Sequence, residues 1–176
     1  MSRLTPVRVE EATGQTAELY SAIKKQLGGV PNLFQALGAN AKVLEAYLGF
    51  GASQSSLSGA EKELIALTVA EINSCNYCLA AHTVLGKMNG LSPEDMIDAR
   101  KGTAANDKRK ALIQLAREIT AEKGHVSDTT LSNFIAAGYK NAQVHEVLMA
   151  VLTNIFTNYF NHINQTPVDF PTAPKL

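Results

Sequence analysis

Both cysteines of the chain fall in one short stretch, EINSCNYCLAAH (71–82), together with one of its four histidines. Cys75 and Cys78 are separated by two residues, and His82 follows one turn later. Asn73 and Ser74 read as the break after one helix, with Ser74 as the cap of a new helix starting at Cys75. At about 100° per residue, Cys78 then lies about 60° round from Cys75 and His82 about 20° round, so the three share one face over two turns. A helix amino terminus carries about half a positive charge and free N–H groups, and thiols placed there ionise more readily. The chemistry on offer is a dithiol and disulfide couple. His82 is its acid–base partner, since an imidazole with an ordinary pKa of about 6.5 accepts a thiol proton at neutral pH.

Two other readings fit the same residues. Cys75, Cys78 and His82 are three ligands of the kinds zinc takes, with Glu71, His145 or His162 as a candidate fourth. Structural zinc sites, however, place their first Cys-x-x-Cys in a turn with further ligands far off, and there is no second cysteine pair here. The blandest reading is a helical binding module with two small apolar side chains in a helix–helix contact. A structural disulfide of the secreted kind is a poor fit, because cysteines three apart clamp almost no chain. A base works better when it is oriented, and Glu63, twelve residues before Cys75, is the candidate. A hairpin folded at Asn73-Ser74 would bring it toward His82; solvation is the alternative for Glu61, Glu63 and Glu71.

Helices must do the positioning. Sustained period-two alternation is absent, whereas helix signals recur. Ser58 with Glu61, and Ser92-Pro93 with Asp95, read as capping boxes, while Gly90, Gly102, Gly124 and Gly138 fall where helices should stop. The expected helices are 13–27, 31–38, 41–51, 59–73, 75–89, 93–101, 107–123, 128–137 and 141–164. In the last, Val144, Leu148, Val151, Ile155 and Tyr159 form one apolar stripe and Met149, Leu152, Phe156, Phe160 and Ile163 a second, which predicts a central helix or one at a subunit contact. Asn154, Asn158, His162 and Gln165 recur at helical spacing as a polar ladder, either a hydrogen-bonded seam or the wall of a site.

The 176 residues, 45% of them hydrophobic, suit one domain, 1–176, with 1–29 and 166–176 as arms that could wrap a neighbour. Sixteen basic residues balance sixteen acidic ones, which argues against a nucleic-acid partner. The first residues lack the apolar core of a signal peptide, and no run approaches the ~20 apolar residues that span a bilayer, so a cytoplasmic protein is expected. His125 and His145 read as surface residues.

Taken together, Glu63, eleven intervening residues, Cys75, two residues, Cys78, three residues and His82 resemble the signature of alkyl hydroperoxidase D and its relatives in the carboxymuconolactone decarboxylase superfamily. VPNLFQALGANAKVLEAYLGF (30–50) and FTNYFNHINQTPVDFP (156–171) resemble segments of the peroxidase-related branch. The resemblance implies an all-α, compact multi-helix bundle assembled into a homo-oligomer (dimer, trimer or hexamer). It implies that Cys78 attacks a small organic hydroperoxide or hydrogen peroxide and that Cys75 then closes the disulfide. Glu63 and His82 would relay the proton, and a lipoyl-bearing or thioredoxin-like dithiol would restore the pair without metal or organic cofactor. Tyr77 departs from the founding enzyme, which has a histidine before the second cysteine; a phenol is a weaker base but still a donor. The helix dipole makes Cys75 the more acidic thiol, whereas the resemblance gives the attack to Cys78. Decarboxylation of a muconolactone, which the superfamily name raises, needs no thiol, and those decarboxylases lack the paired cysteines.

Overall fold

A computed structural model describes residues 2–54 and 56–176. After a short 3-10 turn at Val9–Glu11, the described residues form α1 (Gly14–Leu27), α2 (Asn32–Leu37), α3 (Ala41–Ala52), α4 (Gly59–Ile72), α5 (Asn76–Met88), α6 (Pro93–Lys101), α7 (Asp107–Ala121), α8 (Asp128–Ala136) and α9 (Asn141–Asn164), with no strand among them. The all-α expectation holds, and helix ends differ from the sequence reading by a few residues.

α4 is the partition of the molecule. Its run from Leu64 to Ala70 is buried at every position, which is what a helix apolar on all sides requires. Leu64, Leu67 and Ala70 turn to one core cluster, with Tyr20, Leu44, Leu79 and Ile113. Ile65 and Val69 turn to the other, with Leu112, Leu115, Phe134 and Val147. Truncating a fully buried leucine such as Leu67 to alanine removes about 2–5 kcal/mol.

The two capping boxes expected from sequence are in place. Ser58 and Glu61 form a reciprocal capping box on α4, and Ser92 and Asp95 another on α6, with Pro93 in its first turn. Gly102 follows α6 at φ +80°, in the left-handed region that a side chain resists. Gly38 serves close approach instead: a Cβ there would sit 1.9 Å from Tyr20 Oη, and that hydroxyl is held by its bond to Val7 O at 2.9 Å.

Both arms lie against their own chain. At the amino end, Arg3 N donates to Asn164 O at 2.7 Å and Val7 N to Gln35 O at 3.0 Å. At the carboxyl end, Asp169 accepts from Asn32 N at 2.8 Å, and Arg100 Nη1 donates to Pro174 O at 2.6 Å. The tail is thereby strapped across α2 and α6.

α9 departs from the sequence reading. Its buried face is Val147, Ala150, Val151, Asn154, Thr157, Asn158, Asn161 and Asn164. The two expected apolar stripes are split: Val151 is buried and Val144, Ile155 and Phe160 pack against the cores, whereas Leu148, Leu152, Phe156, Tyr159 and Ile163 are exposed and form one outward stripe at helical spacing. His162 and Gln165, placed on the polar ladder from sequence, are also exposed. The buried amides of α9 bond to different partners: Asn161 to Cys78 Sγ, Asn158 to Asn73, Asn154 back to Ala150 O, and Asn164 to Thr166 and Leu4 N. No described helix is long and apolar enough to cross a membrane.

Candidate active site

The site begins with the way α4 ends. Ser74 N donates to Glu71 O at 3.0 Å and Cys75 N to Ala70 O at 2.9 Å, the pair of bonds that defines a Schellman turn. Ser74 takes the left-handed position at φ 55°, where a non-glycine residue costs about 1–2 kcal/mol. This corrects the expected cap: Ser74 closes α4, and Cys75 itself is the N-cap of α5, its Sγ accepting from Cys78 N at 3.4 Å. The sulfur therefore occupies the position where the helix offers its free N–H groups.

Both thiols are free and buried, 1% exposed at Cys75 and 3% at Cys78, so neither is the exposed partner that a thioredoxin-like pair would present. A hydrogen bond from the Cys78 thiol, working against burial and aided by the Cys78 N–H, the Asn161 amide and the charge of His82, holds the Cys75 pKa below the ordinary thiol range. The same hydrogen bond, followed by burial and the charge on Cys75, pushes Cys78 far above it, against the donors Asn161 and Asn158. The two opposite shifts make Cys75 the more acidic of the two thiols. That agrees with the dipole argument.

The α4–α5 hairpin brings Glu63 to His82, with Nδ1 and Oε2 2.8 Å apart. Burial depresses the imidazole pKa, but the charge of Glu63, its hydrogen bond and the charge of Cys75 outweigh it, and the net pKa is raised. With Nδ1–H donating to a carboxylate, the neutral ring keeps Nε2 as its acceptor. All four sequence-derived candidates, Glu63, Cys75, Cys78 and His82, thus gather at the junction of α4 and α5.

A cavity of ≈ 320 Å³ opens onto this junction, with Cys78 and His82 on its wall but not Cys75. The rest of its lining is largely apolar and includes Phe34, Tyr47, Tyr77 and Phe170. Tyr77 is a structural wall: its hydroxyl accepts from Leu33 N at 3.1 Å and its ring meets Phe170 edge-on at 5.8 Å. Tyr47 is raised well above the ordinary phenol range by burial and then by the charges of Cys78 and Glu63, so it faces the site as a neutral donor.

Sequence reasoning missed Tyr47 and Asn161, whereas Asn158 stands on the polar ladder it expected. Asn161 Nδ2 donates to Cys78 Sγ at 3.3 Å. The signal was present in the spacing, since stepping from Asn158 by three reaches Asn161 whereas stepping by four reaches the exposed His162.

The zinc reading lacks its fourth ligand. Glu71 is ion-paired with Arg100 at 2.7 Å, His145 and His162 are exposed, and among the described residues no group of three or more His, Cys, Asp or Glu is disposed to hold a metal ion.

Residues 38–122 match the family described as the carboxymuconolactone decarboxylase family. The matched span includes Glu63, Cys75, Cys78 and His82 but stops short of α9. Among solved structures, the chain is similar to an alkylhydroperoxidase AhpD core protein, an uncharacterized peroxidase-related protein from Ralstonia eutropha JMP134, with TM-score 0.85 and 14% identity over 96% of this chain and 92% of that one. It is similar to a peroxidase-related protein from Silicibacter sp. TM1040, with TM-score 0.79 and 19% identity over 95% of this chain and 94% of that one. A variant of the debrominase Bmp8 in complex with 2,3,4-tribromopyrrole has TM-score 0.81 and 16% identity over 96% of this chain and 92% of that one. At these identities the likeness is one of fold. No curated protein matches the sequence.

Proposed function

We propose that this chain, which matches the carboxymuconolactone decarboxylase family over residues 38–122 and has the alkyl hydroperoxidase D-like fold, is a thiol-dependent hydroperoxide reductase of that superfamily using Cys75 and Cys78 as a dithiol and disulfide couple. One observation carries this reading. Cys78 lies on the wall of an apolar cavity beside His82, which Glu63 braces, and Cys75 stands directly behind it.

Access and acidity divide the work between the sulfurs. Cys75 is the more acidic thiol, but Cys78 is the sulfur that a molecule in the cavity meets. Cys78 passes its proton toward His82, and its sulfur attacks the hydroperoxide. The O–O bond breaks, an S–O bond forms, and the departing alkoxide takes up the proton as an alcohol. The Cys75 thiolate then attacks the sulfenic sulfur. An S–S bond forms, the hydroxyl leaves, and protonation turns it into water. An external dithiol exchanges with the disulfide, becoming oxidised itself and returning both thiols.

The test is a thiol count. Reduced protein is given one equivalent of an organic hydroperoxide, quenched at intervals with an alkylating reagent and weighed intact. Joint loss of both thiols, reversed by a dithiol, supports the reading; two alkylatable thiols while hydroperoxide persists would overturn it.

The aromatic lining of the cavity favours a second reading: removal of halogen from a small ring, the substrate type of the debrominase relative. There, two thiols would be oxidised to the disulfide while a carbon–bromine bond is replaced by carbon–hydrogen with release of bromide. Bromide release without hydroperoxide turnover would select it.

A further inference from the structure

Asn158 is 0% exposed and Asn161 4% exposed, on the inner face of a helix that elsewhere packs with valine and alanine. A buried amide group left without a partner costs about 1–3 kcal/mol, yet each of these amides is half satisfied. Asn158 Oδ1 accepts from Asn73 Nδ2 at 2.9 Å, while Asn158 Nδ2 has no acceptor and Asn161 Oδ1 no donor. Asn73 is the C-cap of α4, two residues before Cys75. Its bond to the Asn158 oxygen fixes which end of that amide is left over, and the remaining end is a donor beside the sulfurs. Asn161 already spends its own donor on Cys78 Sγ at 3.3 Å.

A leucine at either position would fill the space with no stranded polar atom of its own. Two buried amides with donors at or beside a sulfur are suited to negative charge, because hydrogen bonds to a charged acceptor are worth roughly twice those to a neutral one. Asn158 also lowers the cost of ionising Cys78, and Asn161 that of both cysteines.

We propose that Asn158 and Asn161 form an amide donor pair for the sulfur couple, Asn161 holding the Cys78 sulfur and Asn158 receiving the negative charge when it moves onto that sulfur or onto an oxygen bound to it. The proposal rests on the dithiol reading of the site. It assigns to α9 a share of the chemistry that the α4–α5 motif alone does not contain.

The other charged or titratable groups around the sulfurs and their cavity are His82 and Tyr77 on α5, Glu63 on α4, Tyr47 on α3 and Asp169 in the tail. Burial raises both phenols, leaving His82 as the group whose titration must be separated from that of the thiols.

The experiment measures the pH dependence of iodoacetamide reaction with the fully reduced protein, in the wild-type and His82→Gln backgrounds, for Asn161→Leu and Asn158→Leu. Losing a donor to a charged group should move the midpoint of thiolate formation up by about one pH unit or more, for Asn161→Leu in the intact couple and for Asn158→Leu in a Cys75→Ser background where Cys78 is the ionising thiol. It should also shift the dithiol–disulfide equilibrium about tenfold toward the disulfide, about 30 mV. Asn161→Gln, which keeps a donor, should recover part of both shifts. Should the leucine variants fail to fold, the same readings on Asn158→Ala and Asn161→Ala decide. Folded variants with an unchanged thiol profile and redox equilibrium would overturn the proposal. No hydroperoxide enters these measurements, so shifted profiles in a protein that turns over no hydroperoxide would retain this proposal and remove only the peroxidase reading.

Discussion

His82 Nδ1 and Glu63 Oε2 are 2.8 Å apart across the α4–α5 hairpin, and both side chains are largely buried. The contact joins two helices and also sets which ring nitrogen is free to handle protons. Replacing Glu63 by Gln should lower the His82 pKa toward or below its ordinary value, because burial then acts with less opposition. The sign for stability follows. A histidine raised in the folded state contributes stability that is full below the unfolded pKa of about 6.5 and lost as pH rises through the folded value. Wild type should therefore exceed Glu63→Gln most in mildly acidic solution, with the gap narrowing above neutrality; urea titrations across that range give the answer. A gap that widens with pH would contradict the assignment.

The two cysteines should fail differently. Cys78→Ser removes the sulfur on the cavity wall and should abolish hydroperoxide consumption under every reductant. Cys75→Ser should still react once and stop as a sulfenic acid, visible as one added oxygen in the intact mass and as a dimedone adduct. His82→Gln should keep both thiols but slow their oxidation by about 10²–10⁴, the range general acid–base groups supply.

Cavity volume should act as a size filter. Ala81 lines it and is 9% exposed, so Ala81→Phe narrows the space before Cys78 at an overpacking cost of about 1–3 kcal/mol. Turnover of a bulky aryl hydroperoxide should fall well below that of hydrogen peroxide in this variant. Equal losses for both substrates would show that the cavity is not the route.

Ser74 offers a stability test of the turn. Its φ of 55° suits glycine, so Ser74→Gly should equal or exceed wild type by about 0.5–1 kcal/mol, whereas a β-branched Ser74→Val should lose more than 1 kcal/mol. Chemical denaturation of the reduced protein measures both.

The motif and its folding logic were legible because they are local. Capping boxes, glycine stops and the Glu63-to-His82 spacing all lie within the reach of one or two helices, where periodicity alone sets geometry. The Cys75 cap was misplaced by one residue, since nothing in the sequence signals that a serine, rather than a glycine, will take the left-handed turn position. α9 was harder. Its hydrophobic periodicity points to Leu152, Phe156 and Ile163, which are exposed, while the face turned inward was chosen by what it meets: sulfur and the Asn73 cap, some eighty residues earlier in the chain. Long-range polar pairing leaves no period to read.

Cys75 Sγ closes the first turn of α5 by accepting from Cys78 N. A sulfur in a disulfide is a weaker acceptor than a readily ionised thiol, and the loop closed by cysteines three apart is among the shortest a disulfide can restrain, so little chain entropy is recovered. Oxidation should therefore loosen the start of α5 rather than tighten it, with faster amide hydrogen exchange at Cys78 in the oxidised protein. Tyr77 sits in that same turn and holds Leu33 N through its hydroxyl. The electron count of two buried sulfurs should thus be felt at α2, whose Leu33 and Phe34 line the cavity.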